Sequence, residues 1–480
     1  MASDKLKAWL VRLRVQQHLT RLLMYAKRKG LRAPSGLRKL AGRYLRSRES
    51  DITLPGWESP LVGAGSLGPA PVPDDAGWYD RTPRSEPPAD APRCLIAVGD
   101  FDVAGSSQVA AFLARRLPEY GVRTSVAYTT GVFRPITGSA ARLGDELRSQ
   151  GYDVTEVPVR GAAERLLDAH AFDVISAHGA EPWWVELANE RGIPMIDTLH
   201  GMAYLLMGLD WETEARRAQR LSRITAVSEL VREQYLARLP GLDPDHVVAI
   251  PNCIDERRLP RADREAARRW LGIDDEFLFV SLGRFSYWKN TYGLLAAFDE
   301  VAAAHPEAHL LVAGRIEMAT YTYITCELRD RLAAKDRIHL RDHFEHPSIL
   351  LAAADAFVLD SFEEGGPLAS MEALYAGVPV ILPDVGTARE QVGDGRGGYL
   401  VSNPLGDRLA VFNTPLEPHL YSTGQANRAE LVAAMSRMIA ERSSWSARRA
   451  ELQADAAERF GSEAFISAHA ALIRGAIPVA

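Results

Sequence analysis

From residue 93 onward the chain alternates short apolar runs with segments of helical spacing. Residues 94–98 are unbroken apolar and end in Gly99; a helical pattern follows through Val109, Phe112, Leu113 and Leu117. A second strand is predicted at 121–128, and further ones at 153–157, 173–177, 194–198 and 223–227. The pattern then restarts at 277–282 and continues at 309–313, 337–340, 356–359 and 378–382, with helical stretches such as 294–303 between them. Apolar runs without alternation belong to strands covered on both faces, and regular interleaving with helices predicts doubly wound parallel sheets. Two successive α/β sets, 93–260 and 273–455, predict two Rossmann-like domains facing a cleft. A last helical segment, 456–480, is expected to return to the N-terminal domain. Ligands in such sheets sit beyond the carboxyl ends of the strands, so the loops there are where chemistry is sought.

The first 92 residues follow a different pattern. Leu6, Trp9, Leu10 and Leu13 share one helical face, and Leu19, Leu22, Leu23 and Ala26 a second one rotated from it, so no continuous stripe runs through residues 1–51. Residues 52–92 contain nine prolines and read as an extended tether, with Trp57, Trp78 and Tyr79 available to pin it to a surface. The overall composition, 47% hydrophobic and 25% charged over 480 residues, is that of a soluble globular chain. Its apolar runs fall well short of the roughly 18 residues a bilayer-crossing helix needs. Three scattered cysteines with no CxxC pair fit a reducing cytosol and argue against a disulfide framework or structural zinc.

Charge adds one feature that composition hides. Residues 1–50 hold 14 Lys and Arg against Asp4 and Glu49, a net +12, which leaves −18 on the rest of a chain whose total is −6. A basic arm on an acidic body implies an anionic partner for the arm alone. An anionic membrane surface is the expected partner, with a solvated leader or docking on the acidic body as the alternatives; the acidic body speaks against nucleic acid.

Five strand-end loops carry candidate chemistry. Gly105 and Ser106 precede a helix after the first strand, where free backbone N–H groups favour an anion or a sugar hydroxyl, although a plain helix cap has the same signature. The spacing Gly99 to Gly105 is not GxGxxG, so a nicotinamide cofactor loses support. Arg284 and Lys289 lie beyond the strand that opens the second set, where two cations could clamp a diphosphate and offset charge on a departing phosphate. Glu364, in the turn formed with Gly365, Gly366, Pro367 and Leu368, and Glu372, eight residues on, could accept hydrogen bonds from vicinal diols; one of them could instead be a helix-capping acid. His178 and His200 end adjacent strands and border one cleft, in no metal-binding spacing.

Together these residues resemble the retaining GT-B glycosyltransferases of family 4, over roughly residues 94–475. The strongest part is Glu364 to Glu372 followed by Ala376-Gly377-Val378-Pro379-Val380, which looks like the family's E-x7-E element. Supporting it are Gly283-Arg284 with Lys289, Thr198-Leu199-His200-Gly201, Ser228-Glu229, and Pro251-Asn252 with Ile254-Asp255. The resemblance implies that Arg284 and Lys289 bind the nucleotide-sugar diphosphate, Glu364 holds sugar hydroxyls and Glu372 the ribose. It also implies that His200 sits beside the transferring sugar and that Gly105 and Ser106 line the cleft between donor and acceptor. Gly365, Gly366, Pro367 and Leu368 complete the implied donor site, with no metal and no cofactor required. The acceptor is expected to be a lipid-linked or cell-surface glycan, met at the cytoplasmic face of a membrane. Departures from the pattern are Cys253 and Asn290 where Gly is usual, and Gly314-Arg315 in place of a Gly-acid-Gly-Pro turn. A GT-B-shaped nucleotide-sugar epimerase and a non-catalytic binding protein are the competing readings.

Overall fold

The computed structural model describes residues 52–63, 65–73, 86–99, 101, 105–129, 142–202, 210–409, 416 and 418–478. The basic arm, Trp78 and Tyr79 lie outside the described residues.

Two parallel sheets organise the chain. The first holds β1 (Arg93–Val98), β2 (Arg123–Tyr128), β3 (Val154–Glu156), β4 (Val174–His178), β5 (Met195–Leu199), β6 (Arg223–Ala226) and β7 (Val247–Ala249), in the order β3-β2-β1-β4-β5-β6-β7. The second holds β8 (Phe277–Leu282), β9 (Ala308–Ala313), β10 (Ile338–Arg341), β11 (Ala356–Val358), β12 (Val380–Pro383) and β13 (Gly398–Val401), in the order β10-β9-β8-β11-β12-β13. Central strands β1, β4 and β8 are buried along nearly their whole length, as their unbroken apolar runs require. The short edge strands β7 and β13 are apolar as well but not predicted, and they are only partly covered: Val248 and Leu400 are exposed. Each sheet reverses its winding beside its first strand, between β1 and β4 and between β8 and β11. The loops after those strands therefore converge at switch points, where α/β sheets bind ligands.

The helix Arg449–Phe460 packs Leu452, Ala456 and Phe460 into the C-terminal core, whereas Ser462–Ala476 packs Phe465, Ile466, Ala470 and Ile473 beside Ile96 and Leu113 of the N-terminal one. The chain changes lobes at Gly461, later than residue 456.

The proline-rich segment differs from a tether over residues 52–73. Leu54 and Leu61 are buried in the C-terminal core, and Leu61 N–H donates to Leu271 O at 2.8 Å. Trp57 stacks on Trp270 with centroids 5.9 Å apart and lies 4.7 Å from the Phe344 ring. Arg341 at the end of β10 donates to Gly56 O at 2.9 Å, so polar backbone is satisfied as well as apolar surface covered. Proline content reports backbone stiffness; it does not report whether an extended segment is docked.

Candidate functional site

Lys289 closes a single 3-10 turn, Tyr287–Lys289, and the next residue, Asn290, has φ 49. Asparagine tolerates the left-handed region better than most side chains, which is why it can stand where glycine is usual. It also does what glycine cannot. Asn290 Oδ1 accepts from Gly293 N–H, capping the helix Thr291–Ala304, and from Gln425 Nε2 at 2.8 Å. Asn290 Nδ2 donates at 2.7 Å to Asp360, whose other oxygen accepts from Asn427 Nδ2 at 2.7 Å. Burial raises the Asp360 carboxyl to about 7 against these two hydrogen bonds. This buried knot anchors the turn from which Lys289 emerges. Cys253, the other departure from glycine, is not among the residues with positive φ, so its backbone needs no glycine.

The loop after β11 is tied to the same turn. Phe362 N–H donates to Trp288 O at 2.9 Å, and Asn403 Nδ2 donates to Phe362 O at 3.0 Å. Glu364 is thereby delivered to Lys289: Nζ donates to Glu364 Oε1 at 2.5 Å, and Ser361 Oγ donates to the same oxygen at 2.6 Å. Glu364 Oε2 makes no hydrogen bond among the described residues, and Lys289 has two further N–H donors. Arg284 is placed differently. Its half-exposed guanidinium pairs with Glu317, two residues beyond Arg315 in the unusual turn after β9, and makes no ion pair with Glu364 among the described residues.

The helix Leu368–Tyr375 begins after Pro367 with no side-chain cap, so neither Glu364 nor Glu372 is a capping acid. Burial raises the Glu372 carboxyl to about 7; Arg258 opposes the shift and Asp255 adds to it. Asp255 is likewise raised by burial, to about 6, and neither of its buried oxygens has a hydrogen-bond partner among the described residues. Arg258 also donates to Gln108 in the first turn of the helix Gly105–Arg116, which places the Gly105–Ser106 end near this acid pair.

The two lobes meet across the glycines. A side chain on Gly365 would lie 2.0 Å from His200 O, so only glycine permits this approach. Asn252 Nδ2 donates to Gly366 O at 2.9 Å, and Met202 N–H donates to Glu363 Oε1 at 2.7 Å. His200, two residues beyond the β4–β5 register pair His178–Thr198, has its Nε2 3.0 Å from His178 Nδ1; burial lowers the His200 pKa to about 4 and keeps the ring neutral. The cleft thus brings Lys289, Glu364, Gly365 and the His200 backbone together, and it holds Arg284 on Glu317. Asp360, Gln425, Asn427 and Glu363 carry much of this geometry and were not expected from sequence. Glu363 was adjacent to a named acid, whereas Gln425 and Asn427 lie in a stretch that carried no local signal. Among the described residues no group of three or more His, Cys, Asp and Glu side chains is placed to hold a metal ion.

Two Rossmann-like lobes facing each other across this acid–base cleft define the GT-B architecture. The chain belongs to the group 1, family 4 glycosyltransferases: residues 103–258 match the Glycosyltransferase Family 4 model and residues 263–410 the Glycosyl transferases group 1 model. It is 28% identical to D-inositol 3-phosphate glycosyltransferase 2 of Catenulispora acidiphila over 70% of this chain and 87% of that protein. To the glycogen synthase of Mycobacterium tuberculosis it is 31% identical over 48% of this chain and 55% of that protein. The fold matches that of Anabaena HepE solved with UDP-glucose, with a TM-score of 0.62 at 18% identity, covering 80% of this chain and 99% of that one.

Proposed function

We propose that this glycosyltransferase moves a sugar from a nucleotide-sugar donor, bound on the C-terminal lobe, to a glycan acceptor at the N-terminal lobe, with retention of configuration and without a metal. The observation that carries this reading is the Lys289–Glu364 pair. One carboxylate oxygen is saturated by Lys289 and Ser361, which fixes its orientation and leaves the other to accept a sugar hydroxyl. The remaining N–H donors of Lys289, joined by Arg284 on release from Glu317, offset the negative charge that grows on the leaving diphosphate. Glu372 receives the ribose hydroxyls. The neutral His200 imidazole meets the transferred sugar, and Gly105 and Ser106 offer helix N–H groups to the acceptor side. Structures solved with UDP and with UDP-glucose among the fold neighbours support the donor class. The net +12 of residues 1–50 supports a lipid-linked acceptor at an anionic membrane face.

The test is turnover with a panel of nucleotide-sugars, the donor chosen by thermal stabilisation of the protein. Glu364→Ala and Lys289→Ala are expected to lower kcat by about 100-fold or more with unchanged melting temperature, as loss of a preorganised charge partner does. Near-normal turnover in both variants would remove the assigned roles. Conversion of the donor sugar with no acceptor present would replace transfer by epimerisation.

A further inference from the structure

His178 is buried at the last position of β4 and is more than a neighbour of His200. Its Nε2 lies 3.2 Å from the hydroxyl of Ser176, two residues earlier on the same strand, and its Nδ1 lies 3.0 Å from His200 Nε2. Alternation along a strand puts Ser176 and His178 on one face, so the two hydrogen bonds form a chain from strand interior to cleft. His469, from the helix Ser462–Ala476, is buried behind the pair and adds to the forces holding His178 neutral. Among the described residues the groups acting on His178 are His200 and His469, with burial the larger cause, and no carboxylate is among them. An imidazolium therefore finds no counter-ion among the described residues, and the chain serves to orient hydrogen atoms rather than to relay charge.

Chemistry then sets the direction of the chain. A neutral imidazole has one donor nitrogen and one acceptor nitrogen. The Ser176 hydroxyl is buried and makes no other hydrogen bond among the described residues, so its proton is satisfied only by donating to His178 Nε2. His178 must then carry its hydrogen on Nδ1 and donate it to His200 Nε2, which leaves the hydrogen of His200 on Nδ1. We propose that Ser176 and His178 are positioning residues that hold His200 as the Nδ1–H tautomer, so that it offers a donor, not a base, to an oxygen of the sugar being transferred. This rests on the reading of His200 as a sugar-facing residue. It assigns a use to a serine and a histidine that the donor site leaves unused, and it gives the C-terminal helix, through His469, a part in shaping the cleft.

The test uses the full-length protein with selectively 15N-labelled histidine, resonances assigned by His200→Gln, together with steady-state kinetics on the donor that stabilises the protein. Wild type is expected to show His200 protonated on Nδ1. In Ser176→Ala and His178→Phe the tautomer is expected to become mixed or reversed, with kcat lower by about 10- to 100-fold and donor KM within about 2-fold, as for loss of an aimed group rather than of binding. His178→Asn, whose amide N–H can take the place of Nδ1–H, is expected to recover most of kcat and the wild-type tautomer, a rescue that a role in packing alone would not give. An Nε2–H tautomer of His200 in wild type, or an unchanged tautomer in Ser176→Ala and His178→Phe, would overturn the proposal. Unimpaired turnover in His200→Gln would instead overturn the sugar-facing reading on which it rests.

Discussion

Glu372 shows how a single residue can be named from its spacing while its chemical state is not. Eight residues after Glu364, it is readable as part of a two-acid element. Its protonation is decided by burial and by Asp255, which together raise its carboxyl to about 7 despite Arg258. The sign follows from linkage: with a folded pKa above the unfolded one, this group favours the native state at low pH, and that contribution is lost as pH rises through about 7. Hydroxyl donors of a ribose prefer the carboxylate, so binding reverses the preference and releases a proton. Calorimetry in buffers of different ionisation enthalpy is expected to show nucleotide-sugar binding with proton release at about pH 6, fading by about pH 8, with affinity rising over the same interval. Glu372→Gln is expected to abolish both trends; proton release that persists in that variant would place the titrating group elsewhere. Asp360, also raised to about 7, is the internal comparison, because its hydrogen bonds go to Asn290 and Asn427 rather than toward the cleft.

Among the elements, the central strands were legible because burial on both faces writes itself as an apolar run, whereas the short edge strands β7 and β13 were not read although their residues are apolar. The join between elements was less legible still. Asp355, at the start of β11, is nearly buried and pairs with Arg264 at 2.6 Å, Arg268 at 3.1 Å and Arg442 at 3.3 Å, while accepting Leu278 N–H at 2.9 Å. Arg264 and Arg268 also donate to the carbonyls that end the helix Pro347–Ala353. One acid thus fastens two helical segments to the sheet that carries the Glu364 loop. Asp355→Ala leaves these guanidinium groups without their anion and is expected to destabilise the protein by about 3–5 kcal/mol, the range for breaking a buried ion pair from one side. Chemical denaturation checks this, and a change below about 1 kcal/mol would show that the helix carbonyls alone suffice.

At the level of the whole molecule, the cleft is made by chain crossings. The polypeptide leaves the N-terminal lobe through Asn252 and Ile254, and it returns at Gly461; Ile254 N–H donates to Phe460 O at 2.8 Å and Ser462 N–H to Glu256 at 2.7 Å, so the two crossings are bonded to each other. The docked segment begins at residue 52 and lies on the C-terminal lobe beside β10. No helix among the described residues is long and apolar enough to cross a membrane; the proposed membrane contact rests on the net +12 of residues 1–50. Removal of residues 1–51 is expected to abolish binding to anionic vesicles in a flotation assay, and salt that shortens the Debye length below about 10 Å is expected to weaken binding of the full chain. Flotation unchanged by the deletion would remove the membrane reading.

Periodicity, spacing and charge were enough to declare two doubly wound sheets, the loops that bear the acids and cations, and the family likeness, because each of these is a property of residues near one another along the chain. The Lys289–Glu364 bond, the turning of Arg284 onto Glu317, the Asp360 knot and the histidine chain were decided only by tertiary structure. Those contacts join residues tens of positions apart. Their energies depend on desolvation and on which partner arrives first within hydrogen-bond reach, quantities that exist only once the lobes have folded and met.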